Sequence, residues 1–143
     1  MFRRVDHIAI AVRSLQEACG IYALVLGLDN WTFEEIADQG VRVAMLSVGE
    51  SRIELLEATT ADSPVAAFLA KRGEGFHHIC FEVEDLAAEI TRLRTAGMRL
   101  VDSYPRSGAG GREIAFLHPS STPGVMIELS QSPTRIIPHT GSE

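Results

Sequence analysis

The chain has 143 residues, 45% of them apolar and 22% charged, with a formal net charge of −6. That is the length of one domain, since domains most often run to about 100–150 residues, and a chain of this size buries enough surface for a core of its own. The composition excludes a fibrous or wholly disordered protein, and the acidic balance argues against a nucleic-acid-binding face. No apolar run reaches the roughly 18 residues of a membrane span, and Cys19 and Cys80 form no CxxC pair. A single soluble, cytosolic domain over 1–143 is expected, with neither membrane nor nucleic acid as partner.

In chain order, the alternating run Val5 to Val12 predicts a first strand. Leu15, Ala18, Cys19, Tyr22 and Leu26 then recur at three- and four-residue steps and stop at Gly27, which predicts a helix. A short strand around Trp31–Phe33 and two longer ones, Val41–Leu46 and Ser51–Leu56, follow. Ser63 and Pro64 suit the cap and first position of a short helix to Arg72, closed by Gly73, with Lys71 and Arg72 at the negative end of its dipole. Phe76–Val83 alternates like the first strand. Leu86, Ile90, Leu93 and Arg94 predict a helix that stops at Gly97. A short strand around Arg99–Val101 and longer ones at Glu113–Leu117 and Gly124–Leu129 complete the series. The polar tail after Gln131 carries Pro133 and Pro138 and is expected to be loosely held.

This order is a repeat. His7 and His78 stand 71 positions apart, and Glu54 and Glu128 stand 74 apart. The expected fold is α+β, two tandem β-α-β-β-β modules (about 4–58 and about 75–131) joined by a linker helix at about 63–73. They would form a curved, half-open mixed sheet.

Strand parity places Ile8, Ile10 and Val12 on one face and His7 on the other. The same test puts Glu54, His78 and Glu128 opposite their apolar neighbours, so all four are expected on the side not covered by helices. Two imidazoles and two carboxylates suit one first-row divalent ion such as cobalt, manganese, iron, nickel or zinc. Four protein ligands leave two positions of an octahedron for a chelating substrate. His77 points the other way by parity and is read as a packing or capping residue, and His118, before Pro119, as a turn residue. Cys80 reads as a small packed side chain, and Ser107–Arg112 as a glycine-rich loop bordering the site rather than a phosphate cradle.

These motifs are similar to those of the vicinal oxygen chelate superfamily and, within it, of the methylmalonyl-CoA epimerases, from roughly Val5 to Gln131. The carrying segments are Asp6–Val12, Asp38–Val41, Ile53–Leu56, Ser63–Leu69, Gly75–Val83, Phe116–Pro119 and Gly124–Leu129. The resemblance implies paired modules around one metal ion held by His7, Glu54, His78 and Glu128, usually in a homodimer, with an acyl-CoA substrate. It also implies Glu128 as a catalytic base. A second glutamate serves as the opposite base in some relatives, and here Val43 stands at that position. Arg72, Arg106 and Arg112 are the expected contacts for coenzyme A phosphates. The same scaffold also serves glyoxalase I-type isomerases, extradiol dioxygenases, which are longer, and metal-free bleomycin-resistance-type binding proteins. Retention of all four ligand-type residues argues against the last.

Overall fold

The computed structural model describes residues 1–101 and 105–132; the tail from residue 133 on, expected to be loosely held, lies outside them. The elements are β1 (Phe2–Ala11), α1 (Leu15–Leu26), β2 (Thr32–Ile36), β3 (Val41–Val48), β4 (Ser51–Ala58), α2 (Pro64–Arg72), β5 (Gly75–Val83), α3 (Leu86–Thr95), β6 (Arg106–Ser107), β7 (Glu113–Leu117) and β8 (Ile127–Gln131). Each helix begins where a side chain satisfies an orphan backbone amide: Ser14 accepts from Glu17 N, Ser63 from Ala66 N and Asp85 from Ala88 N. Among the described residues no helix is long and apolar enough to cross a membrane.

All eight strands join one mixed sheet in the order β2-β3-β4-β1-β5-β8-β7-β6. That order is two-fold symmetric. β1 and β5 pair antiparallel at the centre, and each has the last strand of its own module parallel on its outer side, β4 beside β1 and β8 beside β5. The sheet curls so that β1, β3 and β4 line one wall of a cavity and β5, β7 and β8 the other. The expected strand at Arg99–Val101 is reduced to a single bridge, Leu100 with Leu117, and Leu100 packs against the core cluster that includes Leu86, Ile90 and Leu93.

α1 and α3 pack on the convex face. Leu15 and Ala18 meet Val12, Ala44 and Leu55 in module one, and Leu86, Ile90 and Leu93 meet Val83, Ala115 and Leu129 in module two. α2 does the opposite and corrects the expectation that the ligand face is free of helices. Its Val65 packs on Ala9, Ala11, Val41, Val43 and Leu56, closing one end of the concave side. Ser63 approaches Gly40 closely: a Cβ on Gly40, whose φ is +61°, would stand 2.8 Å from the Ser63 Cβ. Only glycine combines that turn with that contact.

Candidate metal centre

The register of the central strands carries the four expected ligands to one place. His7 on β1 faces Cys80 of β5, Ala9 faces both His78 and Glu54, and Cys80 faces Glu128 on β8. All four are buried. His7 Nε2 lies 3.2 Å from His78 Nε2, and Glu128 Oε1 lies 3.2 Å from the former and 3.6 Å from the latter. Ligand atoms about 2.1 Å from an ion and at right angles stand ~3 Å apart, so these three atoms have the spacing of one coordination sphere.

Glu54 stands beside that cluster rather than in it. Its Oε2 is 3.1 Å from the other ring nitrogen of His7 and 3.2 Å from Arg52 Nη2, yet it is buried and makes no hydrogen bond. A buried carboxylate oxygen without a hydrogen-bond donor is costly, and the Arg52 guanidinium supplies a positive charge beside it. Burial and the neighbouring Glu128 raise its pKa, opposed by His7 and Arg52. Two imidazoles and one converging carboxylate fit a divalent ion, with Glu54 beside them.

Behind these residues lies a charged layer that strand parity does not reveal. Asp6 is 1% exposed. It accepts from His7 Nδ1 at 2.7 Å, Arg52 Nη2 at 2.7 Å and Arg112 Nη1 at 2.6 Å. Burial would raise the Asp6 carboxyl, but the His7 hydrogen bond and the two guanidiniums hold it well below the usual carboxylate range. An ionised Asp6 accepts a hydrogen bond from Nδ1–H of His7 and so leaves Nε2 as the lone-pair nitrogen facing the cluster. Glu128 is likewise held ionised: burial opposes its charge, and its closeness to His7 and His78 overcomes that effect.

The cluster opens onto a cavity of about 430 Å³, a size that accepts a small acyl group. Val41, Val43 and Leu56 give module one's wall an apolar surface, so the position occupied by Val43 offers no carboxylate there. His77 does not point away as parity predicts. It lines the cavity, 2.7 Å from His78 through the two Nδ1 atoms. Burial first, then His78, lowers its pKa to about 4. His118 takes the expected turn role, accepting from Ser120 N at 3.0 Å. Cys80 is fully buried and its thiol is pushed up to about 12, mainly by that burial, so it packs rather than reacts. The loop around Ser107–Arg112 does border the site, with Gly110 N donating to Glu34 of the other module. Arg112 donates to Asp6 and lines the cavity with Lys71 and Arg106, while Arg72 lies over the ring of Phe68 and Arg106 over that of Phe116.

Paired β-α-β-β-β modules around a His, Glu, His, Glu set define a glyoxalase-type fold, and residues 6–116 match the Glyoxalase/Bleomycin resistance protein/Dioxygenase superfamily. The chain is 44% identical over 128 residues to the uncharacterised protein YqjC of Bacillus subtilis, covering 90% of this chain and 91% of that one. It is 41% identical over 133 residues to the ethylmalonyl-CoA/methylmalonyl-CoA epimerase of Cereibacter sphaeroides, covering 92% and 99%. A single-substitution variant of the methylmalonyl-CoA epimerase of Streptomyces coelicolor, in complex with 2-nitronate-propionyl-CoA, superposes with a TM-score of 0.89 at 39% identity, covering 94% of this chain and 97% of that one. The chain belongs to the methylmalonyl-CoA epimerase family.

Proposed function

We propose that the protein interconverts the (R) and (S) forms of methylmalonyl-CoA by moving the proton on C2, with His7, Glu54, His78 and Glu128 around one divalent ion and Glu128 as base. The observation that carries this reading is the convergence of His7 Nε2, His78 Nε2 and Glu128 Oε1 at the floor of a cavity of acyl-group size. C2 lies between a thioester and a carboxylate, and losing its proton puts negative charge on the thioester oxygen. A bound cobalt, manganese, zinc, nickel or iron ion would stabilise that charge as a Lewis acid on the two chelating oxygens, by several kcal/mol.

The chain's own residues do the rest. Glu128 is ionised, faces the cavity and takes the C2 proton. Asp6 holds the ring of His7, and Arg52 and Arg112 hold Asp6. Val43 and Leu56 receive the C2 alkyl group, which suits either the methyl or the ethyl of the substrates for which the Cereibacter relative is named. With an apolar wall there, the proton returned to the opposite face comes from water entering the cavity. The nucleotide end of coenzyme A is too large for 430 Å³ and leaves by the mouth, where Lys71 and Arg106 supply positive charge for its phosphates.

Chelator-treated protein should not epimerise (R)-methylmalonyl-CoA, and Co(II) should restore turnover. Full turnover in protein shown to be metal-free would overturn the reading.

A further inference from the structure

A regular strand sends adjacent residues to opposite faces, so one of His77 and His78 should lie on the convex side. The β1–β5 ladder prevents this. Ala9 pairs with His78 and Ile10 pairs with Phe76, so His77 is the extra residue of a bulge, and a bulge re-aims the side chain that it carries. The His77 ring comes to the cavity side, 4.8 Å between centroids from Phe68 of α2, with its Nδ1 2.7 Å from Nδ1 of His78. The other module repeats the device. Val5 pairs with Phe81 and His7 with Cys80, which leaves Asp6 as the extra residue on β1, and Asp6 accepts from Nδ1 of His7 at 2.7 Å. In each half, a bulged residue immediately before the histidine occupies the outer nitrogen of its ring.

We infer that His77 is the positioning residue for His78: its Nδ1 accepts the Nδ1–H of His78 and so aims the Nε2 lone pair at His7 Nε2 and Glu128 Oε1. The inference rests on reading those three groups as a metal site. His78 Nε2 lies 3.2 Å from His7 Nε2 and 3.6 Å from Glu128 Oε1, so it is the nitrogen that must carry the lone pair. The hydrogen then resides on Nδ1, whose neighbour is His77. The two halves differ in strength. Asp6 gives His7 a charge-assisted bond, whereas an imidazole gives His78 a neutral one, so His7 is the stronger donor to the ion.

The test uses Co(II) as probe, with affinity measured by chelator competition and geometry by the visible ligand-field spectrum. His77→Phe keeps a ring against Phe68 and removes the acceptor. Asn and Leu at position 77 have nearly the same shape, and only Asn offers an oxygen near the place of Nδ1. His77→Phe and His77→Leu should weaken Co(II) binding ~10–100-fold and shift the spectrum, the usual cost of losing a partner behind a ligand. His77→Asn should recover affinity to within about threefold of the native protein. Native affinity and spectrum in His77→Leu, with binding abolished in His78→Ala, would make His77 a packing residue and overturn the inference. If His77→Phe fails to fold, the Leu and Asn pair decides by the same criterion. Native protein that binds no Co(II) would instead remove the metal site itself.

Discussion

Arg112, on the loop before β7, donates from Nη1 to Oδ1 of Asp6 at 2.6 Å, joining positions 106 residues apart. Asp6 in turn holds the ring of His7. A residue of module two therefore helps to fix the ring of His7 in module one, and the site depends on both halves keeping their registration. Arg112→Met removes one of two close guanidiniums from a buried carboxylate, leaving Arg52 and His7 in place. Stability measured by urea denaturation should fall by about 1–3 kcal/mol. A loss within about 0.5 kcal/mol, the level of an ordinary surface change, would mean the contact does not matter.

Glu54→Gln separates the folding cost of the site from its binding role. Without metal, the native carboxylate leaves a buried oxygen unbonded, and the neutral amide should stabilise the protein by about 1 kcal/mol. Adding Co(II) should reverse the order, because tighter binding to the native site adds stability as RT ln(1 + [L]/Kd). Thermal melts with chelator and with Co(II) provide the comparison. An equal rise in Tm for both proteins on adding Co(II) would show that Glu54 contributes nothing to binding.

Val43→Glu places a carboxylate on the wall of module one. If water returns the proton in the native protein, exchange of the C2 hydrogen for deuterium should outpace inversion, and the variant should narrow that gap. NMR of the exchanging position alongside chiral analysis gives both rates. A native protein in which inversion keeps pace with exchange would argue for a second protein base.

Glu82 gives a pH dependence away from the ligands. It accepts from Ser132 Oγ at 2.7 Å and from Arg4 Nε at 2.9 Å, clamping β1 to β5 at their outer ends. The Ser132 hydrogen bond first, then the bond and charge of Arg4, lower its pKa against a smaller opposing effect of burial. A lowered folded pKa contributes stability that is complete above the unfolded value of about 4.3 and fades as pH falls through the folded one. Glu82→Gln should cost about 1 kcal/mol at pH 7, with the difference from native protein shrinking below about pH 4. A difference that stays constant down to pH 3 would contradict the assignment.

Period-two alternation put His7, Glu54, His78 and Glu128 on one face of the sheet, and all four line the same cavity. It failed at His77 and ignored Asp6, since a bulge inserts one residue and cancels the parity rule at that point. The available signal was the repeat: Asp6 precedes His7 as His77 precedes His78. Arg52 lies two residues before Glu54 on the same face, so its presence behind the site was also legible. Arg112 was not, because a glycine-rich loop has no period that aims a side chain. Nor did the pattern of α2 tell which side of the sheet it covers; its nine residues carry a single fully buried one, Val65.

Whether Glu128 moves the C2 proton is tested most directly by Glu128→Gln. The amide keeps the size and an oxygen donor and loses the basic form. Co(II)-loaded native and variant proteins are incubated with one epimer of methylmalonyl-CoA in deuterated water, and label entry at C2 is followed together with inversion. The variant should retain Co(II) while exchange and inversion both fall by about 10²-fold or more. Native rates of exchange in a Co(II)-loaded Glu128→Gln protein would contradict that role for Glu128.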